Sequence, residues 1–172
     1  MGIEIERKFL VAGEAWRALG TPVLLRQGYL ASDPQRTVRV RIEGRIGHET
    51  AALTIKSRNE GAVRGEWEYP IPVPEAAELL ERLCERPLVE KYRRRIAHAG
   101  FTWDVDEFLG ENAGLVVAEI ELPSEDAPFD KPDWIGREVT SEARYYNSSL
   151  IRCPYSTWTD TTDTIDTTDT SQ

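Results

Sequence analysis

Glu4, Glu6 and Lys8 alternate with Ile5, Arg7 and Phe9 near the start of the chain. Side chains alternate across a β-strand, so an extended segment here sets two carboxylates and an ammonium in one row, about 7 Å between neighbours. Such a row can hold a hard cation on its carboxylates and an oxygen of an anion on its ammonium. A single row of this kind usually marks a solvated strand face. In this chain the pattern recurs.

Arg39 and Arg41 alternate with Val38 and Val40; Thr54, Lys56 and Arg58 lie opposite Leu53 and Ile55; Glu66 and Glu68 lie opposite Trp67 and Tyr69. Lys91, Arg93 and Arg95 share a face, Asp104 and Asp106 lie opposite Trp103 and Val105, and Glu119 and Glu121 lie opposite Ala118 and Ile120. A wet sheet face would mix charges with Ser, Thr, Asn and Gln, whereas these faces are almost wholly charged and their signs segregate by strand. Exposed ion pairs contribute only ~0–1 kcal/mol, so on a surface the segregation would gain little. Inside a closed barrel it acquires a purpose: charged faces point inward, apolar faces point outward, and about eight strands enclose one small ligand. Desolvating so many charges is expensive, which argues for a ligand rather than for stability.

Lys8, Arg39, Arg41, Lys56, Arg58, Lys91 and Arg93 offer more donors than one carboxylate or monophosphate can use. Arginine forks match phosphate oxygens in pairs and lysine adds a point charge, so a chain of several phosphates fits. Glu4, Glu6, Glu119 and Glu121 would repel that chain unless a divalent ion stands between, and Mg²⁺ or Mn²⁺ suits oxygen ligands. His48 and His98 are not in a ligand-like spacing with the cysteines, which argues against zinc. The chain has no Walker A sequence and no recognisable Ser-His-Asp or Cys-His set. Phosphoanhydride hydrolysis needs charge neutralisation, an in-line water and an acceptor for its proton. Lys56, crowded by cations that depress its pKa, is the candidate base, with Tyr29 as a candidate partner; the alternative is that Lys56 is one more phosphate-binding cation.

The elements that must position these groups are mostly strands. They are expected over residues 3–11, 23–29, 36–43, 50–58, 66–71, 88–98, 102–108 and 115–122, with turns at 44–47 and 99–100. A short helix is expected over 14–19. Pro74 opens a clearer one over 75–85, with Ala77, Leu79, Leu80 and Leu83 as its apolar stripe. One or two short helices follow within 136–150, with Ser141 as N-cap and Asn147 capping or fastening the last of them. Short connections favour antiparallel pairing. The expected fold is therefore α+β: an eight-stranded antiparallel β-barrel with a charged interior and a few flanking helices. Trp16, Trp67, Trp103, Trp134 and Tyr69 are expected to pack on the apolar shell. Glu90 and Arg94 should be surface charges, and His98 should be solvated near a hairpin tip.

The 172 residues fit one domain, placed at 1–155. Residues 156–172 are Thr/Asp-rich, with Asp160, Asp163, Asp166 and Asp169 at every third position, and are read as a disordered tail. The formal charge of −9 argues against a general nucleic-acid binder. No run approaches the ~20 apolar residues of a membrane span, and no signal-like segment follows the first Met, so a cytoplasmic protein without a membrane partner is expected. Cys84 and Cys153 are expected to be reduced. Apolar residues on an outer barrel face could support a homodimer.

The blocks EIERKFL, RVRI (Arg39–Ile42), LTIK (Leu53–Lys56), EWEYPI (Glu66–Ile71), EKYRRR (Glu90–Arg95), WDVDEF (Trp103–Phe108), AEIEL (Ala118–Leu122), REVT (Arg137–Thr140) and RYYNSSL (Arg144–Leu150) resemble, in order, those of the CYTH family, the triphosphate tunnel metalloenzymes. The resemblance spans roughly residues 2–155 and is greatest to short bacterial inorganic triphosphatases. It implies an eight-stranded antiparallel tunnel in which Glu4, Glu6, Glu119 and Glu121 hold one or two divalent ions, with Glu66, Glu68 or Asp106 contributing. It implies that Lys8, Arg39, Arg41, Lys56, Lys91 and Arg93 bind a triphosphate, and that Lys56 with Tyr29 assists the attacking water. The expected activity is metal-dependent cleavage of tripolyphosphate to pyrophosphate and phosphate. The alternatives are a class IV adenylate cyclase, a nucleoside, thiamine or RNA triphosphatase, or a non-catalytic polyphosphate or nucleotide sensor.

Overall fold

The computed structural model describes residues 2–159. Nine strands, β1 (Gly2–Val11), β2 (Val23–Asp33), β3 (Arg36–Arg45), β4 (His48–Ser57), β5 (Val63–Pro70), β6 (Val89–His98), β7 (Phe101–Phe108), β8 (Val116–Glu121) and β9 (Ile135–Glu138), form one sheet among the described residues. Eight of them run in the order β5-β4-β3-β2-β6-β7-β8-β1 and close through β1–β5 pairing, Gly2 opposite Glu66 to Ile5 opposite Val63. Every pairing is antiparallel, as the short connections require.

β1 divides one of its edges between two partners. Its first half pairs with β5, and from Phe9 onward it pairs with β9, with Phe9 opposite Glu138 and Val11 opposite Ile135. At the changeover Glu6 N–H donates to the Ala62 carbonyl at 3.1 Å and Lys8 N–H donates to Thr140 Oγ1 at 3.0 Å. β9 occupies residues expected to be helical. Backbone groups on the freed edge of β1 need partners, and the incoming segment supplies them as a strand.

The alternating sequence pattern packs as its chemistry dictates. Outward-facing Phe9, Trp103, Val105, Ala118 and Ile120 form one core, covered by Trp16 and Trp134, with the Phe9 and Trp103 rings edge-on at 5.5 Å. Outward-facing Val40, Ile42 and Ala51 form a second core beneath α1 (Val73–Arg82), against Ala76 and Leu80. The expected stripe on this helix was displaced at its end: the helix stops at Arg82, so Leu83 lies beyond the last turn and is 65% exposed. The chain then turns Cys84 onto β2, where a Cβ on Gly28 would stand 2.7 Å from the cysteine Cβ, so only glycine fits. Cys84 and Cys153 are both free thiols.

The interior is not charged from end to end. On β2 the inward residues are Leu25, Gln27 and Tyr29, each buried and none ionic. Tyr29, Val89, Phe108 and Val117 join Tyr145, Leu150 and Ile151 of the C-terminal segment in an apolar plug. α2 (Asn147–Leu150) ends this segment's approach; its N-cap position is Tyr146, and Ser141 caps no helix. Residues 156–159, assigned above to the tail, continue the fold instead. Tyr155–Thr157 is a 3₁₀ turn and the Trp158 ring packs edge-on to Tyr145 at 5.2 Å, giving an otherwise polar stretch an apolar anchor. The aspartates at 160, 163, 166 and 169 lie outside the described residues. No described helix is long and apolar enough to cross a membrane.

Candidate active site

Strand pleat sends Glu4, Glu6 and Lys8 of β1 into the barrel, and register places Glu6 opposite Glu121 and Lys8 opposite Glu119 on β8. β5, paired with β1, brings in Arg64, Glu66 and Glu68; β3 and β4 bring in Arg39, Arg41 and Lys56, while β6 and β7 bring in Lys91, Arg93, Asp104 and Asp106. A chamber of about 370 Å³ lies among these groups, and no aliphatic or aromatic side chain lines it. A smaller one, about 50 Å³, opens at the β1 changeover between Ala62 and Thr140 and is lined by Lys8, Tyr29, Thr37, Asn59 and Ser148 as well. Glu6, Arg39, Lys56, Arg64 and Asn147 line both.

Two of the expected residues stand apart from the chambers' open chemistry. Arg58 follows the last residue of β4, is exposed and lines neither chamber; the strand ends at Ser57, so the alternation that would turn it inward stops first. Asp106 is wholly buried with both oxygens taken, Oδ1 by Arg93 Nε at 2.7 Å and Oδ2 by Lys91 Nζ at 2.5 Å and a second Arg93 nitrogen at 2.7 Å. It has little left to offer a metal and instead fixes two cations.

The pairing within the lumen is uneven, and that unevenness is informative. Burial opposes the charged form of Glu119, but Lys8, Arg93 and Lys91 outweigh it and hold this carboxyl well below its ordinary range. Glu4 is likewise held low against burial by Lys56 at 2.9 Å and Arg64 at 2.5 Å. Glu6 differs. Its nearest cations are Lys8 at 3.7 Å and Arg64 at 4.0 Å, and burial together with Glu119 pushes its pKa up. Glu121 makes no ion pair among the described residues and is raised by burial, Glu4 and Glu66. Like charges directly opposite on paired strands repel, so the Glu6–Glu121 wall is short of a cation.

On the opposite wall two arginines are only loosely paired. Arg39 has its Nε buried without an acceptor, and its nearest carboxylate, on Glu68, is 3.5 Å away. Arg41 reaches Glu43 and Glu68 only at 3.4 and 3.5 Å. Lys56 touches Glu4 and, at 3.3 Å, Glu66, yet burial and the Arg39 and Arg64 guanidiniums lower its pKa. Burial also lowers Lys91, to about 8. Tyr29 lines the small chamber with Lys56, and burial raises its phenol.

Sequence reasoning missed Arg64 and Asn147. β5 begins at Val63 rather than at residue 66, and extending its alternation back by one step, 64-66-68, exposes Arg64 as an inward residue. Asn147 caps no helix. Its Oδ1 accepts a hydrogen bond from Lys91 Nζ at 3.0 Å. That contact joins residues 56 apart in the chain, and no local pattern announces it.

Among the described residues no three acidic or sulfur and imidazole groups stand as a ready metal-ligand set. The donor chemistry still fits a hard divalent ion. Mg²⁺ is commonly held by one or two carboxylates, with waters and substrate phosphates completing its shell, and the under-neutralised Glu6 and Glu121 provide such a pair.

The model of the CYTH domain family matches residues 2–155. An inorganic triphosphatase of Acetivibrio thermocellus is 56% identical over 155 residues, 90% of this chain and 97% of that protein. One of Nitrosomonas europaea is 39% identical over 151 residues, 86% and 95% of the two chains. A crystal structure of an inorganic triphosphatase superposes with a TM-score of 0.61 at 36% identity, covering 88% of this chain and 95% of the other. This chain belongs to the CYTH domain family.

Proposed function

We propose that this CYTH domain protein hydrolyses inorganic tripolyphosphate to pyrophosphate and phosphate inside its barrel, with Mg²⁺ or Mn²⁺ as cofactor. The observation that carries this reading is the loose pairing on two sides of the lumen: Glu6, with its nearest cations at 3.7 and 4.0 Å, stands with Glu121, which has no ion pair among the described residues, across from Arg39 and Arg41, whose carboxylate partners are 3.4–3.5 Å away. A phosphate chain with a divalent ion satisfies both at once. The names of the two relatives support the same substrate class.

Glu6 and Glu121, assisted by Glu4 and Glu119 and flanked by Glu66 and Glu68, would hold the ion; when bound it neutralises phosphate charge in the transition state. Lys8, Arg39, Arg41, Lys91 and Arg93 bind and orient phosphate oxygens, Arg93 and Lys91 braced by Asp106. Lys56, its pKa lowered by burial and the Arg39 and Arg64 guanidiniums, is assigned the role of proton acceptor: its Nζ, once neutral, would take a proton from water as the water oxygen bonds to phosphorus and the pyrophosphate oxygen leaves. Tyr29, kept as a phenol by burial, orients that water with its hydroxyl. The large chamber has no ring or aliphatic surface on which a base or thiazolium could stack, which favours a wholly inorganic substrate.

Phosphate release from tripolyphosphate, ATP and thiamine triphosphate, with cyclic AMP assayed beside it, tests the reading. Turnover should be fastest with tripolyphosphate and no cyclic nucleotide should form. ATP turned over as well or better would overturn the substrate assignment.

A further inference from the structure

Asn147 stands where the two chambers meet, and its orientation is fixed by chemistry. Lysine ammonium can only donate, so the contact at 3.0 Å from Lys91 Nζ must be to the amide oxygen. The amide nitrogen is thereby turned away from Lys91. It finds no acceptor on the protein among the described residues, yet it is not sealed in the core, since Asn147 lines both chambers. Neighbouring contacts hold the backbone beneath it: Tyr146 hydroxyl donates to the Thr140 carbonyl at 3.0 Å, and Leu150, wholly buried, anchors the same short helix in the plug. An unsatisfied neutral donor thus sits on the wall that both chambers share with Lys56.

We propose that Asn147 is a substrate-contacting residue, whose side-chain N–H donates to a phosphoryl oxygen of the bound chain at the junction of the chambers. The inference rests on the triphosphate reading above and adds a residue to it. A neutral donor suits this position. Arg39, Lys56 and Arg64 already line both chambers beside it, and another cation would add repulsion to them and to Lys91, whereas an amide adds a directed hydrogen bond without charge. Lys91 acts on substrate partly through this residue, by setting which end of the amide faces the phosphate.

Two substitutions separate donation to substrate from simple anchoring of Lys91. Asn147→Asp keeps an oxygen for Lys91 and replaces the donor by a second oxygen that repels phosphate. Asn147→Ala removes both contacts. If Asn147 donates to substrate, kcat/KM for tripolyphosphate falls roughly 10-fold in Asn147→Ala, and at least several-fold further in Asn147→Asp, with pyrophosphate binding weakened in the same order. Asn147→Asp equal to or better than Asn147→Ala would overturn the proposal, because that order is the one anchoring alone produces. Thermal melting of both variants checks that each is folded. The wild-type protein is assayed first: absence of any triphosphatase activity there would count against the substrate class, and turnover by the wild type with the reversed order of variants would count against Asn147 alone.

Discussion

Lys56 and Arg58 are two residues apart in a run that alternates cleanly, and a sequence gives them equal standing. The structure separates them: Lys56 is buried between Glu4, Glu66 and the small chamber, while Arg58 has left the strand and faces solvent. Lys56→Ala should lower kcat for tripolyphosphate on the order of 10²–10⁴-fold with a smaller change in KM, as loss of the proposed proton acceptor requires. Arg58→Ala should leave both constants and the melting temperature at wild-type values. A variant of Lys56 that raises KM and spares kcat would make it a binding cation only. The charged residues that β1, β3, β6 and β8 direct at the lumen were legible because alternation marks each strand's charged face and its recurrence on strand after strand points those faces to one interior. Asp106 was legible as inward and illegible in role, since its saturation by Lys91 and Arg93 depends on partners 13 and 15 residues away across a hairpin.

Element by element, the strands were readable and their ends were not. β5 starts earlier and β4 stops earlier than the hydrophobic pattern suggests, which is why Arg64 was missed and Arg58 was included. β9 was unreadable as a strand because its pairing is decided by the edge β1 leaves free beyond Phe9, a tertiary demand. α1 shows the same limit on a helix. Its apolar stripe extends in sequence to Leu83, but the helix ends a residue before it. Leu80 is 3% exposed against Val40 and Ile42, so Leu80→Ala should cost about 2–5 kcal/mol in chemical denaturation. Leu83→Ala should cost almost nothing. Equal losses would mean that Leu83 is covered by something the isolated chain does not show.

At the scale of the whole molecule the lumen behaves as one titrating unit, with two opposed contributions to stability. Glu119, Glu4 and Asp106 have folded-state pKa values below their ordinary ones, so the stability they confer is full above the ordinary carboxylate value and is lost as pH falls through the folded values. Glu6 and Glu121 are raised, so as pH drops from neutral they take up protons more readily in the folded state, and repulsion is relieved. The melting temperature, measured without divalent ions, should therefore rise slightly from neutral to weakly acidic pH and then fall steeply below about pH 4. A smooth decline from neutrality downward would show that Glu6 and Glu121 do not carry the repulsion assigned to them. The barrel closure was legible from its alternating faces, whereas the apolar plug was not, because it is assembled from inward positions of β2, β6 and β7 together with a C-terminal segment distant in sequence.

In the proposed mechanism one wall of the lumen needs a cation before the other can act on a phosphate chain. Orthophosphate release from tripolyphosphate, followed with Mg²⁺ and with a chelator in the wild type and in Glu6→Gln, tests it most directly. Rapid Mg²⁺-dependent release by the wild type, abolished by the chelator and by Glu6→Gln, is the predicted result; release that survives chelation, or that Glu6→Gln sustains at the wild-type rate, would contradict it.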